Sequence, residues 1–545
     1  MVSRILLALV LSAVPLLSAL AEPDPLAPYQ ADLTRYFVDP AQEEAARAAL
    51  STRTKSFTAA AGWTAKEAAN HLAEGAGLLT GWMRHAVYCR VRAARDTGDK
   101  AAKSCQSESY TAVDSVTAFV DGQLRAPLFA KMSAAEQERR GLAPYRGLIA
   151  KARQAARHEP APAARAAIAV LGDPMLQGLY DRYEAVVSGL KTPEAFDAHK
   201  ELLGATLIDV VRHETALAKL YGYASAPEWK YAERLGVTEA MARDLLDRMA
   251  QSAQVLKDYQ AVRSPHGFTP EPLDIETVRA TILEALAPLG PDYRGQFAWL
   301  MDPANGAIDL AGGGTRYRGG FSQGFPGVPV MLYVGGFDGS FAKMSTIIHE
   351  GGHALHRKYM GGVSPYAAEA PKFLAEAVAI FNELLLLDER ERDSHSPAES
   401  VFYQEKFLDK LVHEIFTSAE EGTLEQGLYD GVTAGKITDA AGIDALKGGD
   451  WMKKSLLYED PLYLINYLYA ALVACRFHAM SEADPEGFRT RYLALLKEGF
   501  DAPNDAALRR TMGFGLDADA LLDDALRLMS ERTKKLEAAY RTLPN

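Results

Sequence analysis

The sequence predicts a mainly α protein with one small β element set among the helices. Apolar residues recur three and four positions apart over most of the 545 residues, the period of an amphipathic helix. Against that background only 307–336, AIDLAGGGTRYRGGFSQGFPGVPVMLYVGG, breaks into glycine-rich turns and short β-like runs, the clearest from Val328 to Val334.

Taken in order, the first element is a leader. MVSRILLALVLSAVPLLSALAEPDP places Arg4 before an apolar run from Ile5 to Leu20, and Ala19-Leu20-Ala21 offers an A-x-A cleavage site. That is the pattern of a secretory signal peptide over 1–21, and Pro15 with the A-x-A triplet stands against an uncleaved membrane anchor. No later stretch stays apolar long enough to span a bilayer. The mature protein is therefore expected to be soluble and exported, periplasmic or secreted, with no membrane contact after cleavage. A formal net charge of −12 argues against nucleic acid or an anionic membrane surface as partner, since both reward clustered Lys and Arg.

Helical periodicity follows over 41–59 and 64–95, then 133–188 and 193–222. Asp96-Thr97-Gly98-Asp99 reads as the turn of a helical hairpin, with Cys89 and Cys105 nearly equidistant from it. A bridge between them is geometrically possible in an oxidising compartment, and spacing alone leaves two free thiols equally open. Cys475, in YAALVACRF, reads as a buried small apolar residue. A fresh helix start after Leu235-Gly236 suggests a lobe boundary there, dividing a helical lobe at 22–235 from a second at 236–545. Further helical stretches cover 238–262, 399–424, 461–482 and 516–541. The triple glycine at 312–314 lacks a following Gly-Lys-Ser/Thr, so it does not suggest phosphate binding.

The chemistry concentrates in STIIHEGGHALHRKYMGG, residues 345–362. Asp338 and Ser340 are candidate N-caps and Gly361-Gly362 a stop, so the segment is expected to be one helix. His349 and His353 then lie one turn apart on a shared face, with Glu350 in the neighbouring arc, the HExxH geometry of zinc sites. Gly351 and Gly352 each cost roughly 1 kcal/mol against alanine in a helix interior. Their expected return is a bare face on which backbone or a packed helix can approach closely. A third ligand is needed, and PKFLAEAVAIFNELLLLDER, residues 371–390, supplies it. Glu376 stands in an otherwise apolar first turn and a half, an expensive place for a lone carboxylate. Two imidazoles, one carboxylate and an open fourth position make a catalytic zinc set. Glu383 lies two turns further along the same face, where it can hold a ligand imidazole. His356 is read as a packing or supporting residue, and His213, His413 and His478 as surface or satisfied core residues.

With these residues assembled, the chain resembles the thimet oligopeptidase and oligoendopeptidase F family of zinc metallopeptidases, closer to the second branch. The resemblance is carried by RGGFSQGFPGVPVMLYVGGFDGSFAKMSTIIHEGGHALH, FLAEAVAIFNE and PLYLINYLYAALVA, with a fainter match at 212–229. It implies a large two-lobed helical metallopeptidase with a deep channel, and hydrolysis of short unstructured peptides rather than folded proteins. By the same resemblance one zinc per chain is held by His349, His353 and Glu376, Glu350 is the general base, and Tyr463 and Tyr467 face the metal. The family usually carries a histidine a few residues before the first tyrosine; here Leu456, Leu457 and Tyr458 occupy that region. Val328 to Val334 is expected to accept an extended peptide as an added strand. Two other readings stay open: a peptidyl-dipeptidase or carboxypeptidase of the same glutamate-zinc class, and a catalytically weak peptide-binding relative. If Tyr463 and Tyr467 only pack, Tyr458 is the next candidate.

Overall fold

Short polar caps set the helix starts of this chain, and glycine and proline set the stops. The structure, a computed structural model, describes residues 25–543 apart from 61, 265–266, 447–449, 501–503 and 518. The expected leader at 1–21 lies outside the described residues. Among them, no helix is long and apolar enough to cross a membrane.

Two long helices, α1 (Ala68–Arg95) and α2 (Lys100–Leu124), form the expected hairpin. Asp96 accepts from Gly98 N–H in the turn, and the Asp99 carboxylate caps the second helix at Ala102 N–H. Cys89 and Cys105 are joined as a disulfide across the pair. The stretch 133–188, expected as continuous helix, is instead divided into helices at Ala134–Arg139, Arg146–Ala155, Pro162–Leu171 and Asp173–Val187. Gly141 at φ 70°, Pro144, Pro160 and the Gly172-Asp173-Pro174 step account for the breaks. α3 (Lys200–Leu220) follows. Gly236, at φ 72°, joins two further helices, and the largest apolar core runs on both sides of it, from Leu179 and Leu207 to Phe381 and Leu528.

The β element is a three-stranded sheet: β1 (Ile308–Asp309), β2 (Gly320–Phe325) and β3 (Val328–Val334). The order is β1-β3-β2, with β1 parallel and β2 antiparallel to β3, so β3 lies between the other two. Ser322 pairs Leu332 and Phe321 pairs Tyr333, and the register slips between Gln323 and Phe325. Phe321, Met331 and Tyr333 share a small core with Tyr36, Val87, Tyr88 and Val91, which fixes the sheet against α1.

Behind the sheet lie α4 (Phe341–Tyr359) and α5 (Lys372–Arg392), then α6 (Pro397–Leu411), α7 (Ser418–Thr433), α8 (Ile465–Ala483) and α9 (Ala520–Tyr540). A π-helical turn, Val412–Thr417, joins α6 to α7. Ser340 is the N-cap of α4, accepting from Lys343 N–H, while Asp338 accepts from Ser340 N–H. The glycine pair does what its cost requires. A Cβ on Gly351 would lie 2.2 Å from Phe297 Cζ, and one on Gly352 would lie 2.8 Å from the Asn382 amide and 3.4 Å from Ala379 Cα. Gly352 thus lets α5 run directly against α4, and Gly351 makes room for Phe297 of the helix Gly290–Met301.

Candidate active site

α4 and α5 bring His349, His353 and Glu376 together, with one ligating atom from each within 4.8 Å of the others. His349 Nε2 is 3.5 Å from one Glu376 oxygen and His353 Nε2 is 3.7 Å from the other. Those separations are long for hydrogen bonds. They suit a shared ion, because two ligand atoms each about 2.1 Å from a tetrahedral zinc lie about 3.4 Å apart. The imidazole planes stand at 87° with centroids 4.9 Å apart, which aims both nitrogens inward rather than stacking the rings. The donor set therefore fits zinc.

The support for His349 comes from α5 and α6. Its Nδ1 is 2.9 Å from Glu383 Oε2, the same carboxylate accepts from Ser345 Oγ at 2.7 Å, and Lys410 Nζ lies 2.7 Å away. Burial disfavours charge on Glu383, but Lys410 and His349 outweigh it and hold its carboxyl down to about 2. Burial likewise opposes charge on His349, yet Glu383 and Glu376 pull it up to about 10. The pocket of carboxylates thus demands a positive charge at this imidazole, which a proton or a metal can meet. His353 is held well below its ordinary range by burial and then by His349 and Arg357.

Glu350 faces the same cleft. Burial raises its carboxyl above the usual value, opposed by His349 and Arg357. β2 passes so close that a Cβ on Gly320 would be 2.6 Å from Thr346 and 3.2 Å from Glu350 Cγ. The cleft, about 440 Å³, is bounded by β2, α4, α5 and Tyr467.

The two tyrosines differ from expectation. Tyr467 lines the cleft on α8, but Tyr463 precedes the first residue of that helix, in a turn whose carbonyl accepts from Asn466 N–H. They meet by ring contact rather than as one helix face: the rings lie edge to face, 5.5 Å apart, and Arg234 covers Tyr463 at 5.7 Å. Burial first, and then neighbouring charge including Glu376, raises both phenols, Tyr467 up to about 12. Tyr458 lies apart from the cleft. It is buried, stacks on Tyr183 at 4.0 Å and donates to Leu203 O, so it is no substitute for the missing histidine. His356 is buried against Phe500. His213 and His478 are buried in the core, His213 against Glu214 and His478 through Nε2 against Asp388, while His478 Nδ1 has no hydrogen-bond partner among the described residues.

Sequence reasoning also placed an incoming peptide on β3, but none of the residues that line the cleft belongs to β3. β3 is paired with β2 along one side and with β1 at Leu332 and Tyr333 on the other, and the strand that lines the cleft is β2, through Ser322 and Gln323. It missed Arg90, Arg357, Lys410 and Glu414 as well. Arg357 was findable, since it continues the 349, 353 spacing by one more turn; the others come from distant helices.

Comparison with known proteins follows the same line. The chain is 16% identical to oligoendopeptidase F of Enterococcus faecium, with a TM-score of 0.62 over 92% of this chain and 99% of that one. The fold is that of oligoendopeptidase F. PZ peptidase A shares this fold at a TM-score of 0.68 and 17% identity, covering 92% and 99% of the two chains. In sequence, the chain is 23% identical over 278 residues to chromosomal oligoendopeptidase F of Lactococcus lactis subsp. cremoris, 47% of this chain and 44% of that protein. It is 23% identical over 388 residues to oligopeptidase PepF of Bacillus subtilis, 63% and 57%. The chain spans about half the length of the curated relatives it matches. No family model matches it.

Proposed function

We propose that the protein is a zinc-dependent peptidase that cuts within short, unstructured peptides, with one zinc per chain held by His349, His353 and Glu376. The observation that carries this is the pair of 3.5 and 3.7 Å separations between the imidazole nitrogens and Glu376. The oligoendopeptidase F relatives and the shared fold support it.

Bound there, zinc supplies a Lewis acid that lowers the pKa of water towards about 7 and polarises a carbonyl. Glu350, which lines the same cleft as the triad, takes a proton from the attacking water and passes it to the leaving amine. The free edge of β2 holds the peptide backbone extended, fixing its path while leaving side-chain choice loose. Tyr467, with Tyr463 behind it, offers a phenol to the oxyanion of the tetrahedral intermediate. A second reading, a cut close to the C-terminus, is favoured by Arg90 and Arg357, which line the same cleft.

The test is hydrolysis of an internally quenched peptide blocked at both ends, with and without 1,10-phenanthroline. Cleavage that stops with chelator and returns with zinc is expected; cleavage that survives thorough metal removal would sink the reading. Export belongs to the same proposal. The Cys89–Cys105 disulfide supports an oxidising compartment, periplasmic or extracellular, and N-terminal sequencing of the mature protein should begin at Glu22.

A further inference from the structure

Two cations share the cleft with the metal triad, and neither is used by the chemistry above. Arg357 lies on α4 one turn beyond His353, and its Nη1 donates to Ser322 Oγ at 2.7 Å. Arg90, on α1, sits over the ring of Phe321 of β2, its guanidinium carbon 4.4 Å from the ring centroid. Both line the cleft. Among the described residues neither guanidinium is paired with a carboxylate. The charges that act on Arg357 include Glu350, which favours it, and Arg90, which opposes it.

Two like charges that line one cleft and oppose each other cost energy that a bound anion offsets. A guanidinium held over an aromatic ring keeps its charge and its N–H donors for a carboxylate. We propose that Arg90 and Arg357 form a subsite for the free C-terminal carboxylate of a peptide, about two residues past the bond that is cut. The inference rests on the peptidase reading and deepens it.

The position follows from helix and strand geometry. From His353 to Arg357 the helix rises about 6 Å, close to two residues of extended peptide at roughly 3.3 Å each. The polarity follows from charge. An N-terminal ammonium would be repelled by the pair, so the substrate runs with its C-terminal end towards Arg90 and Arg357. Ser322 links the subsite to the chemistry, since its hydroxyl accepts from Arg357 and also hydrogen-bonds Glu350. A peptide side-chain carboxylate offers the same chemistry, so the experiment must separate the two sources.

Three forms of one short peptide serve: the free acid, the C-terminal amide, and an amide whose last residue is Glu. With zinc-loaded wild type, kcat/KM for the acid should exceed that for the amide by about tenfold or more, the loss expected for a charge-assisted bond. Mass spectrometry should locate the main cut two residues from the end. Arg90→Met and Arg357→Met should each bring the acid-to-amide ratio towards one; should Arg357→Met fail to fold, Arg90→Met carries the same test. Equal rates for acid and amide in wild type overturn the subsite. Full recovery by the Glu amide overturns the C-terminal assignment in favour of an acidic side chain. Calorimetric binding of acid and amide to zinc-loaded Glu350→Gln needs no turnover. Acid-selective binding there, with no hydrolysis by wild type, would refute the peptidase reading alone; hydrolysis without selectivity would refute the subsite alone.

Discussion

His349 and Glu383 are joined by a 2.9 Å hydrogen bond between α4 and α5. With Nε2 turned to the ligand set, the proton belongs on Nδ1, and the carboxylate accepts it. That fixes both the tautomer and the ring plane, and such partners are worth roughly 10–100-fold in metal affinity. Glu383→Gln is expected to weaken zinc binding by about that factor, read by competition with a chromophoric chelator. Unchanged affinity would show that Glu383 does not orient the ligand.

Glu350→Gln removes the base and no member of the triad. Zinc content and melting temperature should stay near wild type while turnover falls by several powers of ten. Zinc loss in this variant would instead make Glu350 a ligand.

Tyr467 enters the cleft directly, whereas Tyr463 reaches it through its ring contact with Tyr467. Loss of one oxyanion donor costs about 2.7–4 kcal/mol, or roughly 10²–10³ in turnover. Tyr467→Phe is therefore expected to lower kcat at least tenfold with little change in KM or zinc content, and Tyr463→Phe to have the smaller effect. Near wild-type kcat in both would make them packing residues.

Gly351 illustrates what was legible in the sequence and what was not. Local rules located α4 by its Ser340 cap, the HExxH face by helical periodicity, and Glu376 by its misfit in an apolar turn. They also said that something must approach the glycines, because nothing else offsets their helix cost. They did not say that Phe297 and Asn382 approach, since those contacts join segments whose packing no local pattern encodes. The same holds for Arg90 and Lys410, ordinary surface-type residues until the fold delivers them. Strand propensity identified Val328 to Val334 but not its place in the middle of the sheet, which depends on pairing with a two-residue strand.

Alanine at Gly351 is thus expected to destabilise the fold despite its better helix propensity. The gain is about 1 kcal/mol; overpacking a buried ring commonly costs 1–3 kcal/mol, and a 2.2 Å contact lies at the severe end. Denaturant unfolding should show a net loss, part of which Phe297→Leu restores in the double variant. A Gly351→Ala protein as stable as wild type would mean that Phe297 moves aside freely.

Glu425 controls the turn that carries Tyr463. This buried carboxyl accepts from Leu462 N–H at 2.6 Å and Leu464 N–H at 3.3 Å. Leu462 is held at φ 63°, the only non-glycine positive φ among the described residues, a conformation that costs roughly 1–2 kcal/mol. Burial raises Glu425 from 4.5 to about 8, against the opposing pull of the Leu462 N–H and Arg234. Between those two values the folded chain keeps a proton that the unfolded chain has lost. Its contribution to stability is therefore full below about 4.5, falls as pH rises through the window by up to about 1.4 kcal/mol per pH unit, and is gone above about 8. Glu425→Gln keeps an acceptor for Leu462 and cannot titrate. Unfolding free energies measured from pH 5 to 8 should fall less steeply in the variant than in wild type, the two curves diverging as pH rises. Parallel curves would assign the proton uptake to another group and leave Glu425 ionised in the folded chain.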